Sequence, residues 1–165
     1  MRAIAFFLCL LSALAPAWSQ QPAGQRDSQT GPAVTADPRK IAFAKSLSAL
    51  RTLFKQRRYQ QAIVPGKQLV EQAREIYGER SLRYAGSIYN LGLIYNGAKR
   101  YEDAARTFEK AFVTQHRLRS PADKAYKRVL ASLAGINRQL GRPRDTGRYY
   151  LAALKKLQQA GQINS

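Results

Sequence analysis

The chain has 165 residues and a formal net charge of +18, because 28 lysines and arginines face only 10 aspartates and glutamates. This length suits one domain with a buried core, and the 45% hydrophobic and 23% charged composition excludes both a disordered polyelectrolyte and a membrane-spanning bundle. The single cysteine, Cys9, and the single histidine, His116, supply too few ligands for a disulfide framework or an ordinary zinc site. We therefore predict neither a metal nor another cofactor.

Residues 1–19 have the pattern of a secretory signal peptide. Arg2 precedes an apolar run that is shorter than the roughly 20 residues a spanning helix needs. We expect cleavage after Ser19, with Ala17 as the second choice, because both are small residues. Cleavage would remove Cys9 and leave no transmembrane span. The sequence thus predicts a periplasmic or secreted bacterial protein.

The segment after the predicted signal peptide has the composition of a linker. Residues 20–38 are rich in Gln, Pro, Gly and Asp and show no apolar periodicity, so we expect a flexible leader. Helical apolar spacing then begins and continues almost to the end of the chain. The predicted folded domain covers 39–160, and residues 161–165 form a short tail.

A pattern recurs three times in the predicted domain, at equal intervals along the chain. Its copies begin at Arg58, Arg100 and Arg142 with the sequences RYQQA, RYEDA and RPRDT, and each lies between two apolar helical stretches. Such self-similarity is typical of arrays in which each unit buries its apolar flank against the next. We predict an all-α fold, an antiparallel helix-hairpin solenoid of about three repeats and roughly six helices.

The middle copy shows why each unit should be a helical hairpin. Two helices are predicted on either side of Asn96-Gly97, a pair that tolerates the left-handed conformation at a helix end. Apolar residues recur in both at three- and four-residue spacing, which places each set on one helix face. Small residues, Gly92 and Ala104, are expected where the helices approach closely. The two sets are Ile88, Leu91, Gly92 and Tyr95, and Ala104, Phe108 and Ala111.

These two sets resemble the tetratricopeptide repeat, whose pattern is W-x2-L-G-x2-Y followed by A-x3-F. Ile88 stands in place of the tryptophan, and the other motif positions match. The usual repeat has about 34 residues, whereas a spacing of 42 resembles the longer subtype found in kinesin light chains and many bacterial proteins. The resemblance covers residues 40–160 and implies a scaffold that binds a protein or peptide.

The outer copies depart from the motif. In the first copy, Leu50 stands at the glycine position and Gly66 at the phenylalanine position, while Pro65 is expected to kink or delay the second helix. In the third copy, Ala134 and Thr146 occupy the positions of Gly92 and Ala104. Terminal repeats are commonly atypical, so we expect the fold to persist through them. An unrelated all-α bundle is the alternative.

The first helix of each pair is expected to line the concave side of such an array, where related repeats hold an extended or helical peptide. Helical phase places eight candidate partner-binding residues there, with basic groups at both ends and a Tyr/Leu/Asn centre. Cationic groups suit carboxylates, so an acidic peptide or protein is the predicted partner. Ordinary solvated surface is the alternative interpretation. The eight are Arg51, Lys55, Tyr89, Asn90, Leu93, Asn96, Arg128 and Arg138.

A second basic cluster, Arg142, Arg144 and Arg148, crowds the last interhelix turn. It suggests an alternative function, that of a basic envelope-associated factor adhering to an anionic polymer or a membrane surface. Nucleic acid is disfavoured as a partner, because aromatic stacking residues do not interleave with the basic clusters and export removes the chain from the cytosol. The last helix also carries an apolar stripe, which makes a homo-oligomer through this helix a further candidate.

No catalytic constellation stands out in the sequence. His116 has no nearby acid to orient it, and the adjacent Glu102 and Asp103 point in different directions on a helix. The chain shows no glycine-rich phosphate loop, no nucleophile elbow and no zinc-binding helix motif. We predict a non-enzymatic protein with no catalytic residues.

Overall fold

The structure, a computed structural model, describes residues 37–119 and 122–161. Over this part of the chain six α-helices follow one another, which confirms the predicted all-α architecture. The predicted signal peptide and residues 20–36 of the predicted leader lie outside the described residues. The helices are α1 (Pro38–Lys55), α2 (Tyr59–Tyr77), α3 (Leu82–Gly97), α4 (Tyr101–Leu118), α5 (Lys124–Gln139) and α6 (Pro143–Gln159).

The first helix begins slightly earlier than the sequence predicted. The Asp37 carboxylate accepts a hydrogen bond from the backbone N–H of Arg39 at 2.9 Å and so caps α1. Pro38 occupies the first helical position, where its missing N–H has no consequence. Asp37 and Pro38 therefore cap and begin the first helix just before the predicted start of the domain at residue 39.

Each helix packs mainly against its neighbours in sequence, from α1 on α2 to α5 on α6. The second helices of the three pairs begin at Tyr59, Tyr101 and Pro143, at equal intervals along the chain. Buried positions follow the same spacing, since each of the six buried residues of α4 has a buried counterpart in α2. These residues are Ala104, Ala105, Phe108, Ala111, Phe112 and Gln115 in α4, and Ala62, Ile63, Gly66, Leu69, Val70 and Ala73 in α2.

Contact between the two helices of a hairpin depends on pairing a large residue with a small one. In the second repeat, Gly92 of α3 lies against the ring of Phe108, and a Cβ on this glycine would be 2.6 Å from Phe108 Cδ1. In the first repeat the sizes are exchanged, since Leu50 is large and Gly66 is small. The two departures from the motif therefore compensate each other and preserve close packing.

Helix α2 runs without interruption from Tyr59 to Tyr77, through Pro65. The expected delay of this helix is not found, because α2 begins at the same point of its repeat as α4 and α6. Proline removes one backbone hydrogen bond, but buried side chains such as Ile63 and Leu69 anchor the helix on both sides of it. Packing of the apolar face therefore outweighs the local defect.

Each hairpin turn places one residue in the left-handed region, at Arg57 (φ 57°), Lys99 (φ 59°) and Gly141 (φ 69°). The prediction that Asn96-Gly97 supplies this conformation is wrong, because α3 continues through Gly97 and the left-handed residue comes two positions later. Gly97 serves close packing instead. A Cβ at this position would lie 2.6 Å from Cδ1 of Tyr59, the first residue of α2.

Replacing Lys99 with glycine is expected to raise the free energy of unfolding. A left-handed conformation costs an L-residue about 1–2 kcal/mol, and the greater unfolded-state freedom of glycine offsets about 0.4–1 kcal/mol of this. A net gain of up to about 1 kcal/mol should appear in urea denaturation. Ala98→Gly is the matched control, since Ala98 has an ordinary negative φ of −77° and should lose stability. Equal losses in both variants would contradict the prediction.

Candidate functional site

A groove of about 210 Å³ lies between α1 and α3, the first helices of two adjacent repeats. Two exposed cations of α1, Arg51 and Lys55, line it one helical turn apart, and the half-buried Asn90 lines it from α3. The structure therefore brings four of the eight candidate residues together, the fourth being Leu93. The apolar lining consists of Leu47, Leu50 and Phe54 of α1 and Leu93 and Ile94 of α3.

The cations of this groove have no anionic partner in the described part of the chain. Neither Arg51 nor Lys55 forms an ion pair with a carboxylate of residues 37–119 or 122–161. Helix α1 itself contains no acidic residue. A guanidinium and an ammonium group beside an apolar surface suit a ligand that carries a carboxylate next to an apolar side chain.

Tyr89 lies beside the groove but is engaged within the protein. Its hydroxyl and the Ser132 hydroxyl of α5 share a hydrogen bond of 3.3 Å, and its ring lies 5.7 Å from the Phe108 ring. Tyr89 is half-buried and links the second repeat to the third. The Tyr89 side chain therefore stabilises the packing of two repeats, whereas the neighbouring Asn90 lines the groove.

The other three candidates do not line this groove. Arg128 and Arg138 are exposed on α5, while every lining residue belongs to α1 or α3. Asn96 is half-buried in the last turn of α3 and is likewise not a lining residue. Of the predicted basic groups, Arg51 and Lys55 therefore line this groove, whereas Arg128 and Arg138 do not.

Two of the three basic residues in the last interhelix turn are paired with carboxylates of α4. Arg142 donates two hydrogen bonds to Glu102, at 2.9 and 3.1 Å, and Arg148 donates one to Glu109 at 3.0 Å. Arg144 remains exposed without an ion pair to the described residues. The cluster therefore ties α6 to α4 instead of presenting three free cations.

His116 belongs to a structural junction of α4, α5 and α6. Its Nδ1 lies 2.8 Å from the Tyr126 hydroxyl, and its ring stacks on Phe112 at 5.4 Å. Burial and the nearby Lys156 lower the pKa of His116, while burial raises the pKa of Tyr126 to about 12. Lys156 also donates to the backbone oxygens of His116 and Arg119 and so completes the end of α4. His116 and Tyr126 thus form a hydrogen-bonded contact between α4 and α5 within a packed interface.

A larger groove of about 900 Å³ lies between α2 and α4, with side chains of α3 at its base. One wall carries Glu71 and Glu75 of α2, and the other carries Arg106 and Lys110 of α4. Sequence reasoning missed this groove, because it considered only the first helices of the pairs. The base consists of Ile88, Leu91 and Tyr95.

The larger groove exists because two residues that line it are smaller than the residues at the equivalent positions one repeat later. Between α4 and α6, the rings of Phe112 and Tyr149 meet at a centroid distance of 5.0 Å. Their counterparts one repeat earlier are Val70 and Thr107, and both of these line the groove. A comparison of the residues at equivalent positions of successive repeats could have predicted this groove from the sequence.

Neither a metal centre nor a membrane helix is found in residues 37–119 and 122–161. No group of three or more His, Cys, Asp or Glu side chains in these residues could hold a metal ion. Likewise, none of the helices in this part of the chain combines the length and the apolar character that crossing a membrane requires.

Stacked helical hairpins with open grooves between them define a helical-repeat scaffold. Residues 48–112 match the model of the tetratricopeptide repeat family, a segment that runs from α1 into α4 and includes most of the groove between α1 and α3. Over this segment the chain is similar to the tetratricopeptide repeat (TPR) family. No curated protein sequence matches the chain significantly.

Several solved structures share this fold, and two of them serve as examples. The TPR domain of Arabidopsis FLU superposes with a TM-score of 0.59 at 16% identity, over 74% of this chain and 99% of that one. BtubC (BKLC) from P. vanneervenii superposes with a TM-score of 0.62 at 16% identity, over 74% of this chain and 49% of that one. At this level of identity the likeness establishes the fold alone.

Proposed function

We propose that the chain is an exported, non-enzymatic TPR scaffold that binds an acidic peptide segment of a partner protein on its concave face. The observation that carries this proposal is the groove between α1 and α3, where Arg51 and Lys55 lack anionic partners among the described residues and lie beside an apolar lining. Protein binding is the common use of this fold, and the groove supplies the chemistry that an acidic segment requires.

The groove offers three kinds of contact to such a segment. The guanidinium of Arg51 and the ammonium of Lys55 form charge-assisted hydrogen bonds with a carboxylate. The Asn90 amide can both donate to and accept from a peptide backbone. A volume of about 210 Å³ suits one or two apolar side chains of a peptide better than a complete small-molecule ligand, whose pockets span about 300–1,000 Å³.

The proposal places the protein in a bacterial periplasm or outside the cell, because residues 1–19 have the pattern of a signal peptide. It also assigns the repeats to the long, kinesin-light-chain-like subtype. The equal spacing between the starts of α2, α4 and α6, at Tyr59, Tyr101 and Pro143, supports this assignment.

Adhesion to an anionic polymer or membrane surface is the second proposal, and it has weaker support. Arg142 and Arg148, two of the three residues in the supposed adhesive cluster, already pair with Glu102 and Glu109. Adhesion driven by charge alone should also weaken steeply as the salt concentration rises. The affinity for a segment held partly by apolar contacts should depend less on salt.

Site-directed photo-crosslinking in the native cell envelope can identify the partner. A photoreactive residue at Leu93 should capture a protein with an acidic, apolar-containing segment, since Leu93 lines the groove. The same residue at the exposed position Val64 of α2 is the control. Equal labelling of the same partner from both positions would contradict the proposed site.

Charge reversal then tests the groove with the captured segment as the ligand. Arg51→Glu with Lys55→Glu should weaken binding at least about tenfold, because two charge-assisted contacts become repulsive. Lys40→Glu with Lys45→Glu makes the same change in net charge on exposed positions of α1 outside the groove and should have little effect. Equal losses of affinity in the two double variants would indicate that the segment is attracted nonspecifically to the basic protein.

A further inference from the structure

No helix of residues 37–119 and 122–161 packs across the outward face of α6, in contrast to the matching faces of α2 and α4. Of the six positions of α6 that correspond to the buried residues of α4, only Ala153 is buried. Tyr150, Leu151 and Leu154 are 45%, 60% and 48% exposed and form a continuous apolar strip, here termed the α6 face. Exposed apolar strips of this kind commonly mark interaction sites.

The repeat itself shows what kind of element fits such a face. Helix α3 packs across α2, and α5 packs across α4. Both covering helices carry the same buried series, an aromatic residue followed by aliphatic residues four, seven and ten positions later. The series is Tyr84, Ile88, Leu91 and Ile94 in α3, and Tyr126, Leu130, Leu133 and Ile136 in α5. A helix with this series is therefore the element that fits the α6 face.

Exposed basic side chains lie on α5 and α6, the last two helices that the structure describes. Lys127 and Arg138 of α5 and Arg144 and Lys155 of α6 are exposed, and none of them forms an ion pair with a carboxylate of the described residues. Helix α5 contains no acidic residue, and α6 contains only Asp145. A covering helix with acidic residues on its flanks is therefore electrostatically complementary to this end of the array.

A second copy of the chain does not meet these requirements. The positions of α1 that correspond to the covering series hold Ala42, Ser46, Ala49 and Thr52, which are small or polar. Pairing α6 of one copy with α6 of another would bring like charges together in a protein with a net charge of +18. Packing α1 of a second copy on α6 would therefore lack large apolar side chains. Packing α6 on α6 would lack the negative charge that complements the α6 face.

We propose that the α6 face binds an amphipathic helix of another protein, one that carries the aromatic-aliphatic series of α3 and α5 and has acidic flanks. The bound helix takes the position on α6 that α3 takes on α2 and α5 takes on α4. This site is separate from the groove between α1 and α3, and it extends the repeat array with a helix from the partner.

A designed peptide provides the test. The probe is a labelled synthetic helix with Tyr, Ile, Leu and Ile at the spacing found in α3 and with glutamates on both flanks. Fluorescence anisotropy with the full chain should show saturable binding, weakened at least tenfold by Leu151→Asp with Leu154→Asp. Val64→Asp, which changes a 63% exposed valine of α2, should leave binding unchanged. Arg51→Glu with Lys55→Glu should also leave it unchanged, which separates this site from the proposed groove.

Three outcomes would overturn the proposal. The first is no saturable binding by the acidic peptide to a chain whose helical circular dichroism is intact. The second is equally tight binding of the same peptide with lysine flanks, which would remove the role of charge. The third is a concentration-dependent dimer in sedimentation that Leu154→Asp dissociates, with no peptide binding, since the α6 face would then be a self-association surface.

Discussion

Gly92→Ala is expected to lower the free energy of unfolding by about 1–3 kcal/mol, the usual range for overpacking a well-filled core. The added Cβ would lie 2.6 Å from both Cδ1 and Cε1 of the Phe108 ring, which is itself only 1% exposed and cannot move away freely. Urea denaturation of the purified chain measures the change. A variant as stable as the wild type would show that the helices can separate without loss.

The sign of this effect should reverse when the ring is removed. In a Phe108→Ala background, Gly92→Ala meets no ring and should stabilise the protein by up to about 1 kcal/mol, since alanine is the better helix former. Gly86→Ala is the matched control in the same helix, because nothing lies within 4 Å of its Cβ position. It should stabilise both backgrounds alike. Equal effects of Gly92→Ala in the two backgrounds would exclude the ring as the cause.

Phe112→Ala is expected to destabilise the protein by about 3–5 kcal/mol, the range for truncating a buried phenylalanine. Phe112 is 5% exposed, and its ring contacts three others, those of His116, Tyr126 and Tyr149. These rings join α4 to α5 and α6, so the truncation leaves a cavity where the last repeat docks. The loss is a large share of a typical domain stability of about 5–15 kcal/mol.

The location of the damage distinguishes this variant from a general loss of stability. Hydrogen exchange in Phe112→Ala should show lower protection in α5 and α6 than in α2 and α3, because each repeat contacts mainly its neighbours. Val113→Ala alters the next residue, which is 47% exposed, and should change stability by less than about 0.5 kcal/mol. Uniform loss of protection across all six helices would indicate that the array unfolds as one unit.

The two proposed binding sites use different properties of the same repeat. The groove between α1 and α3 offers Arg51 and Lys55 beside a narrow apolar lining. The α6 face offers an apolar strip in which Tyr150 and Leu154 stand at positions that are buried in the earlier repeats. A partner with an acidic extended segment and a partner with an acidic helix would therefore not compete, and binding of one should leave the affinity for the other unchanged.

Much of the fold could be predicted because helical packing is encoded locally. The three- and four-residue spacing of Ile88, Leu91 and Tyr95 places them on one helix face, and all three are buried. The same phase argument placed Arg51, Lys55, Asn90 and Leu93 along one surface, where the structure shows a groove. It could not show that the neighbouring Tyr89 is held by Ser132, because that contact spans 43 residues and depends on how two repeats dock.

By itself the sequence determined the helical hairpins, their equal spacing along the chain and the close approach of the helices at Gly92, since each of these follows from residue size and periodicity along one chain segment. Only the tertiary structure decided which charges are free. Arg142 is paired with Glu102, 40 residues away, whereas Arg51 has no such partner among the described residues. The sequence does not distinguish a paired arginine or lysine from an unpaired one, because only the stacking of the repeats brings a carboxylate within reach of some of these side chains.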